Sequence, residues 1–299
     1  MREIIKKIEG VHAYLTTPFN KNNIMEINEE GFRKNISFLR NNGIKIITIC
    51  GGTGEIWSLS INEHKKLLEI ANEEKGNMFL IAGIPPGIKS ALEISKYAQD
   101  IGIDTLLIFP PIGPIAEDGI YEYYRKIINS VDLPFQIFAT GSILQCNPLT
   151  FRKIIELENV ISIKYEEKNL DNLASLMNII DKDIAWISGI DYGTKTIRYY
   201  FELGVKGFTC GIASIIPKLP LELYEAAIKK DWKKVHEIEE IIKPIYEFRK
   251  KFGWISVIKA SLDILGLAGG PPRPPLTSLK EKEIKELKEL LNKYSSYLK

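Results

Sequence analysis

Eight short apolar runs, separated by stretches of helical periodicity, organise most of the chain. They cover residues 11–16, 44–50, 78–83, 105–109, 135–139, 160–164, 184–189 and 205–210. Each is rich in aliphatic or aromatic residues and bounded by polar or glycine-containing sequence, as a strand buried on both faces requires. The intervening helices carry start and stop signals. Asn28 precedes an apolar face of Phe32, Ile36 and Leu39, and Gly43 follows it. Ser60-Ile61-Asn62-Glu63 has the form of a capping box before Leu67, Ile70 and Ala71. Asn147-Pro148 supplies a cap and a first-turn proline, and Gly102 and Gly204 each close a helix. After residue 210 the pattern is helical only, at about 217–230, 231–250, 254–265 and 280–297, with Gly269 to Pro275 read as a stiff linker. Strand and helix alternating eight times predicts an α/β protein: a (β/α)8 TIM barrel over residues 1–215, with a C-terminal helical extension over 216–299. An open dinucleotide-binding sheet would need a G-x-G-x-x-G turn, and no run is followed by one.

Composition narrows the function. Among 299 residues, 40 Lys and Arg stand against 38 Asp and Glu, a net charge of +2, with no basic block. Neither nucleic acid nor an anionic membrane is an expected partner. Three scattered cysteines, Cys50, Cys146 and Cys210, and an N-terminus without a signal-type apolar core predict a cytoplasmic, reduced protein. His12, His64 and His236 fall in unrelated contexts, which argues against a histidine metal site, and His64 and His236 read as surface residues.

In a (β/α)8 barrel the strand C-termini carry the chemistry, so they form the shortlist. The sixth run ends on Lys164. A lysine there either leaves the sheet into water or is a desolvated amine neutral enough to attack a carbonyl. The second run ends in Gly51-Gly52-Thr53-Gly54-Glu55, whose bared N–H groups and Thr53 hydroxyl can hold a small carboxylate; the alternative is a turn that merely needs positive φ. At the end of the eighth run, Thr209-Cys210-Gly211 leaves room for a ligand. A lysine facing a carboxylate-binding loop suggests Schiff-base chemistry on a 2-oxo acid, which needs no metal or cofactor because the iminium itself withdraws electrons.

These residues resemble the dihydrodipicolinate synthase / N-acetylneuraminate lyase superfamily over essentially the full length. The matching features are Thr17-Pro18-Phe19, the Gly-Gly-Thr-Gly-Glu loop, Ile163-Lys164 and the helical tail. Two passages are most similar to 5-dehydro-4-deoxyglucarate dehydratases: Gly51 to Leu59, and Ser256-Val257-Ile258-Lys259-Ala260 with Arg273-Pro274-Pro275-Leu276. The resemblance implies a Schiff base on Lys164 with pyruvate or another 2-oxo acid, a carboxylate cradle at Gly52 and Thr53, and a homo-oligomer, tetramer or dimer. It also defines four departures. Phe138 stands where family members carry a proton-relaying tyrosine, and Gly52 where they carry a hydroxyl. Ile143 replaces the arginine that synthases use for a second carboxylate, and Ile112 replaces a tyrosine contributed by a neighbouring subunit.

Glu166 follows Lys164 by two residues and points to the same side if the strand continues, where it could shuttle protons. The sequence favours the plainer reading, a loop glutamate in Glu166-Glu167-Lys168. Tyr165 is expected on the opposite side, against a helix. Tyr14 and Tyr192 could reach the barrel mouth, and Cys50 and Cys210 are expected to be inert. The expected function is therefore a class I lyase, cleaving, condensing or dehydrating a sugar-acid-derived 2-oxo acid. Its nucleophile would be Lys164, with Gly52, Thr53 and Thr209 binding substrate. The alternative, motivated by Phe138, Ile112 and Ile143, is a catalytically impaired relative that binds such an acid as a sensor.

Overall fold

The computed structural model describes residues 2–189 and 196–298. Its strands are β1 (Val11–Tyr14), β2 (Ile46–Ile49), β3 (Phe79–Ile84), β4 (Thr105–Ile108), β5 (Phe135–Ala139), β6 (Val160–Tyr165), β7 (Ala185–Ser188) and β8 (Gly207–Cys210). They pair in parallel in sequence order, and β8 closes onto β1. The expected (β/α)8 barrel is present. Each strand lies on its apolar run, with β3 and β6 extending one residue beyond it.

The helices are α1 (Arg2–Lys7), α2 (Glu29–Asn41), α3 (Ile61–Glu74), α4 (Ile88–Asp100), α5 (Glu117–Ile128), α6 (Ser142–Gln145), α7 (Pro148–Ile155), α8 (Leu170–Ile179), α9 (Ile197–Leu203), α10 (Lys218–Ile228), α11 (Trp232–Phe252), α12 (Trp254–Ile264) and α13 (Glu281–Asn292). Their caps are those the sequence signals. The Asn28 side chain accepts from the Gly31 N–H, Ser60 and Glu63 form a complete capping box, and Asn147 caps a helix opened by Pro148. The outer ring is completed by α10, which packs on α9 and β1, so the ring draws on chain beyond residue 215. Helices α11, α12 and α13 pack on one another outside it. Among the described residues no helix is long and apolar enough to cross a membrane.

Alternation along the strands fills the barrel axis with Ile46, Phe79, Ile81, Leu107 and Ile187, and Ile5 and Ile8 plug its N-terminal end. A short polar chain crosses this interior. Gln136 donates to the Ser162 hydroxyl at 2.9 Å, which donates to the Ala185 carbonyl at 2.8 Å. One irregularity matters for function. The β5–β6 register slips between Phe135 and Gln136, so that Gln136 faces Ser162 and Phe138 faces Lys164. Because a one-residue slip exchanges the two faces of a strand, this irregularity sets which β6 residues look into the barrel.

Two expectations change. His64 is not a surface residue: it is 1% exposed, and its Nε2–H donates to the Gly83 carbonyl at 2.8 Å. It lies three and four residues before Leu67 and Leu68, on the buried face of α3. Nor is Gly269 to Pro275 merely a linker. A Cβ on Gly269 would lie 1.8 Å from the Lys259 carbonyl oxygen, and one on Gly270 (φ +65°) 2.2 Å from that of Phe19. Only glycine lets this strap press against both backbones.

Candidate active site

Because β6 continues its ladder one residue further, through the Glu166 N–H to the Ala139 carbonyl at 3.0 Å, Lys164 and Glu166 fall on the same side. The Lys164 ammonium lies 2.6 Å from Glu166 Oε2. The lysine side chain is 8% exposed and the glutamate 41%, so the pair joins the barrel interior to its mouth. Glu166 lies just past the end of β6, as the plainer reading has it, but its side chain turns onto Lys164. Gly189, at the end of β7, makes the room: a Cβ there would sit 2.8 Å from Glu166 Cβ and 3.0 Å from Lys164 Cε.

Two aromatic rings flank the ammonium. Its nitrogen is 3.8 Å from the Phe138 ring centre and 4.8 Å from that of Tyr14, and Phe109 packs edge-on against Phe138 at 5.0 Å. Burial pulls the Lys164 pKa down, but the Glu166 carboxylate and the neighbouring Tyr14 side chain outweigh it, and the net direction is upward. The carboxylate thus favours the ammonium form of the resting lysine. Attack on a carbonyl requires a proton acceptor, and Glu166 is in contact with it.

Opposite lies the glycine loop. The N–H groups of Gly54, Glu55 and Ile56 are taken up within the turn, by the carbonyls of Gly51, Gly52 and Gly51. Among the described residues no such bond takes the N–H of Gly52 or Thr53, and both residues line the cavity. Two non-glycine residues flank the loop in the left-handed region, Cys50 (φ 50°) and Glu55 (φ 59°), at a cost of about 1 kcal/mol each. What holds Glu55 there comes from the C-terminal extension. Glu55 is fully buried and accepts from Lys259 Nζ at 2.5 Å and from the Arg273 N–H at 2.9 Å. Arg273 itself reaches Glu63, Ser58 and Ile24 and stacks 4.0 Å above the Phe19 ring. Thr17 donates to the Gly54 carbonyl at 2.8 Å. The Thr-Pro-Phe motif and both tail motifs thus act on one loop. Sequence reasoning had no signal for that convergence except the motifs themselves.

The cavity at the C-terminal end of the barrel is about 550 Å³. Lys164, Glu166, Phe138, Gly52, Thr53 and Thr209, the residues singled out from sequence, all line it, as do Tyr14 and, from the extension, Arg249 and Trp254. Ile143 does not: it is buried in the core behind the barrel wall. Ile112 is 84% exposed on the β4–α5 connection. Tyr165 turns away, as expected, and donates to the Asn169 carbonyl at 2.7 Å. Cys50 is buried, which pushes its thiol pKa up, away from reactivity. Tyr192 lies outside the described residues.

A model of the dihydrodipicolinate synthetase family matches residues 7–294. The chain is 33% identical over 276 residues to a 4-hydroxy-tetrahydrodipicolinate synthase of Methanopyrus kandleri, covering 90% of each. It is 30% identical over 273 residues to a protein named "Probable 5-dehydro-4-deoxyglucarate dehydratase" of Bacillus licheniformis, covering 89% of this chain and 87% of the relative. In structure it superposes on a dihydrodipicolinate synthase of Oceanobacillus iheyensis with a TM-score of 0.88 at 28% identity, over 98% of this chain and 99% of the other.

Proposed function

The chain belongs to the dihydrodipicolinate synthetase family, and from that premise we propose that this lyase forms a Schiff base between Lys164 and a 2-oxo acid. The observation that carries the reading is a buried lysine, in contact with a carboxylate, that shares one cavity with a loop of free N–H groups. The Gly52–Thr53 loop binds the substrate carboxylate, with Thr209 on β8, one strand removed from β2, and this sets the adjacent carbonyl carbon over the lysine nitrogen. Glu166 takes the proton that makes the lysine nucleophilic. The iminium then draws electrons from the neighbouring carbon, so that an aldol C–C bond breaks or a β-hydroxyl leaves. No metal or cofactor enters this scheme.

A sugar-acid-derived substrate is favoured over aspartate semialdehyde. The position that resemblance equates with the synthases' carboxylate-binding arginine is Ile143, which is buried in the core. The relative named a dehydratase also points to the sugar-acid branch. A cytoplasmic homotetramer or dimer fits the three free cysteines and the family.

Borohydride reduction in the presence of pyruvate, read by intact mass, tests the reading. The expected result is one adduct per chain that disappears in Lys164→Ala; no adduct, or one that survives the substitution, rejects it. Phe138 favours a second reading, a binding protein that forms the adduct without turnover. An adduct with no product across a panel of aldol and dehydration substrates would select it.

A further inference from the structure

Tyr14 stands in the mouth opposite Phe138, on the other flank of the Lys164 ammonium. It is 4% exposed, and its hydroxyl makes no hydrogen bond of ordinary geometry with any described residue. A buried phenol left in this state costs about 1–3 kcal/mol, so the position calls for an explanation. The hydroxyl of Thr48, its register partner on β2, is also buried and unsatisfied. Two buried hydroxyls without a hydrogen bond of ordinary geometry therefore sit at paired positions of neighbouring strands, and Tyr14 lines the cavity that Lys164 and Glu166 enter. The glycine loop is shaped around the tyrosine. A Cβ on Gly51 would approach the Tyr14 ring to 3.0 Å, so that loop's first glycine is what seats the ring against it. Tyr14 also feels the charged pair: burial raises its pKa, the Lys164 ammonium opposes that rise, and the Glu166 carboxylate adds to it.

We propose that Tyr14, backed by Thr48, is the proton-transferring hydroxyl of this site, supplied from β1 in place of the one that Phe138 lacks on β5. The proposal rests on the Schiff-base reading of Lys164. In it, Glu166 takes one proton from the ammonium and the neutral amine attacks the carbonyl carbon. The N–C bond forms and the π pair moves to oxygen. Tyr14 gives its proton to that oxygen and recovers one from the nitrogen. Glu166 returns its proton to the departing hydroxyl, the C–O bond breaks, and water leaves behind a protonated imine. The two protons lost from nitrogen leave in the water, and both Tyr14 and Glu166 end as they began.

The test is the rate of imine formation with pyruvate, followed by rapid borohydride quenching and intact mass, for the full chain and three variants. Tyr14→Phe should form the Lys164 adduct about 100-fold more slowly, as loss of a general acid–base group does. It should do so at an unchanged half-saturating pyruvate concentration and with an unchanged melting temperature. Thr48→Val should slow it by a smaller factor. Adding Phe138→Tyr to Tyr14→Phe should recover at least tenfold, which a merely structural role for Tyr14 would not allow. A Tyr14→Phe rate within threefold of the unmodified chain, or a slow one that Phe138→Tyr fails to rescue, overturns the proposal while leaving Lys164 in place. Absence of any adduct in the unmodified chain overturns both.

Discussion

With its nitrogen 2.6 Å from Glu166 and 3.8 Å from the centre of the Phe138 ring, Lys164 experiences opposing pulls whose balance a single substitution reverses. Burial favours the neutral amine, and the carboxylate favours the ammonium and prevails. Removing the carboxylate charge leaves burial as the dominant influence. In Glu166→Gln the lysine pKa should fall, and the pH midpoint of pyruvate trapping should move to lower pH. Turnover should fall about 100-fold, because no acceptor then takes the ammonium proton. Trapping measured across pH in both proteins checks this, and an unmoved midpoint would show that Glu166 does not set the charge on Lys164. At this scale the sequence was informative wherever spacing alone carried the geometry. Lys164 and Glu166 share a face because they are two residues apart on a strand that continues. Gly189 was silent, because its meaning is the space it leaves for side chains of another strand.

The glycine loop and the C-terminal extension form one mechanical unit, although 204 residues separate Glu55 from Lys259. The pair is almost wholly enclosed, with side chains 0% and 1% exposed. Breaking such a pair costs more than the pair contributes, since the survivor stays charged without a partner. Lys259→Ala should therefore destabilise the fold by about 3–5 kcal/mol. It should also raise the pyruvate concentration needed for half-maximal trapping, because Glu55 would no longer hold the left-handed corner beside Gly52 and Thr53. Adding Glu55→Gln should return part of the stability. Urea midpoints and pyruvate titrations of both variants decide the matter, and a single variant as stable as the parent would refute the coupling. The elements themselves were legible from helical periodicity and capping residues. Their docking was not, because Ser256 to Ala260 and Arg273 to Leu276 reveal partners only once the chain has folded over the barrel mouth.

Over the whole molecule, short apolar runs alternating with period-3.6 stretches were enough to give eight strands, their order and the barrel, because short connections leave parallel strands few other arrangements. It did not give the polar content of the interior, and that content governs how the protein responds to acid. His12 sits at the barrel axis with Nε2 2.7 Å from the Ile8 carbonyl, and His64 lies between α3 and the barrel wall. Burial lowers both to a pKa of about 4, from 6.5 when unfolded; for His12 the Lys164 charge adds to the shift. Below pH 6.5 the unfolded chain therefore takes up protons that the folded chain refuses, and stability falls until the folded pKa is passed. Each histidine accounts for about 3 kcal/mol across that window. Glu63 acts lower. Burial resists its ionisation, but Arg273 and the Ser60 cap hold its pKa below 4.5, so its contribution is present above that value and lost as the pH drops through the folded one. Urea unfolding should accordingly show a steep loss of stability between pH 6.5 and 4, well before most carboxylates titrate. His64→Gln, which keeps a donor within reach of the Gly83 carbonyl without a titrating ring, should be less stable at pH 7.5 yet lose less on acidification to pH 5. A parent protein equally stable at both pH values would mean that these histidines are not the buried, neutral groups that the packing around them requires.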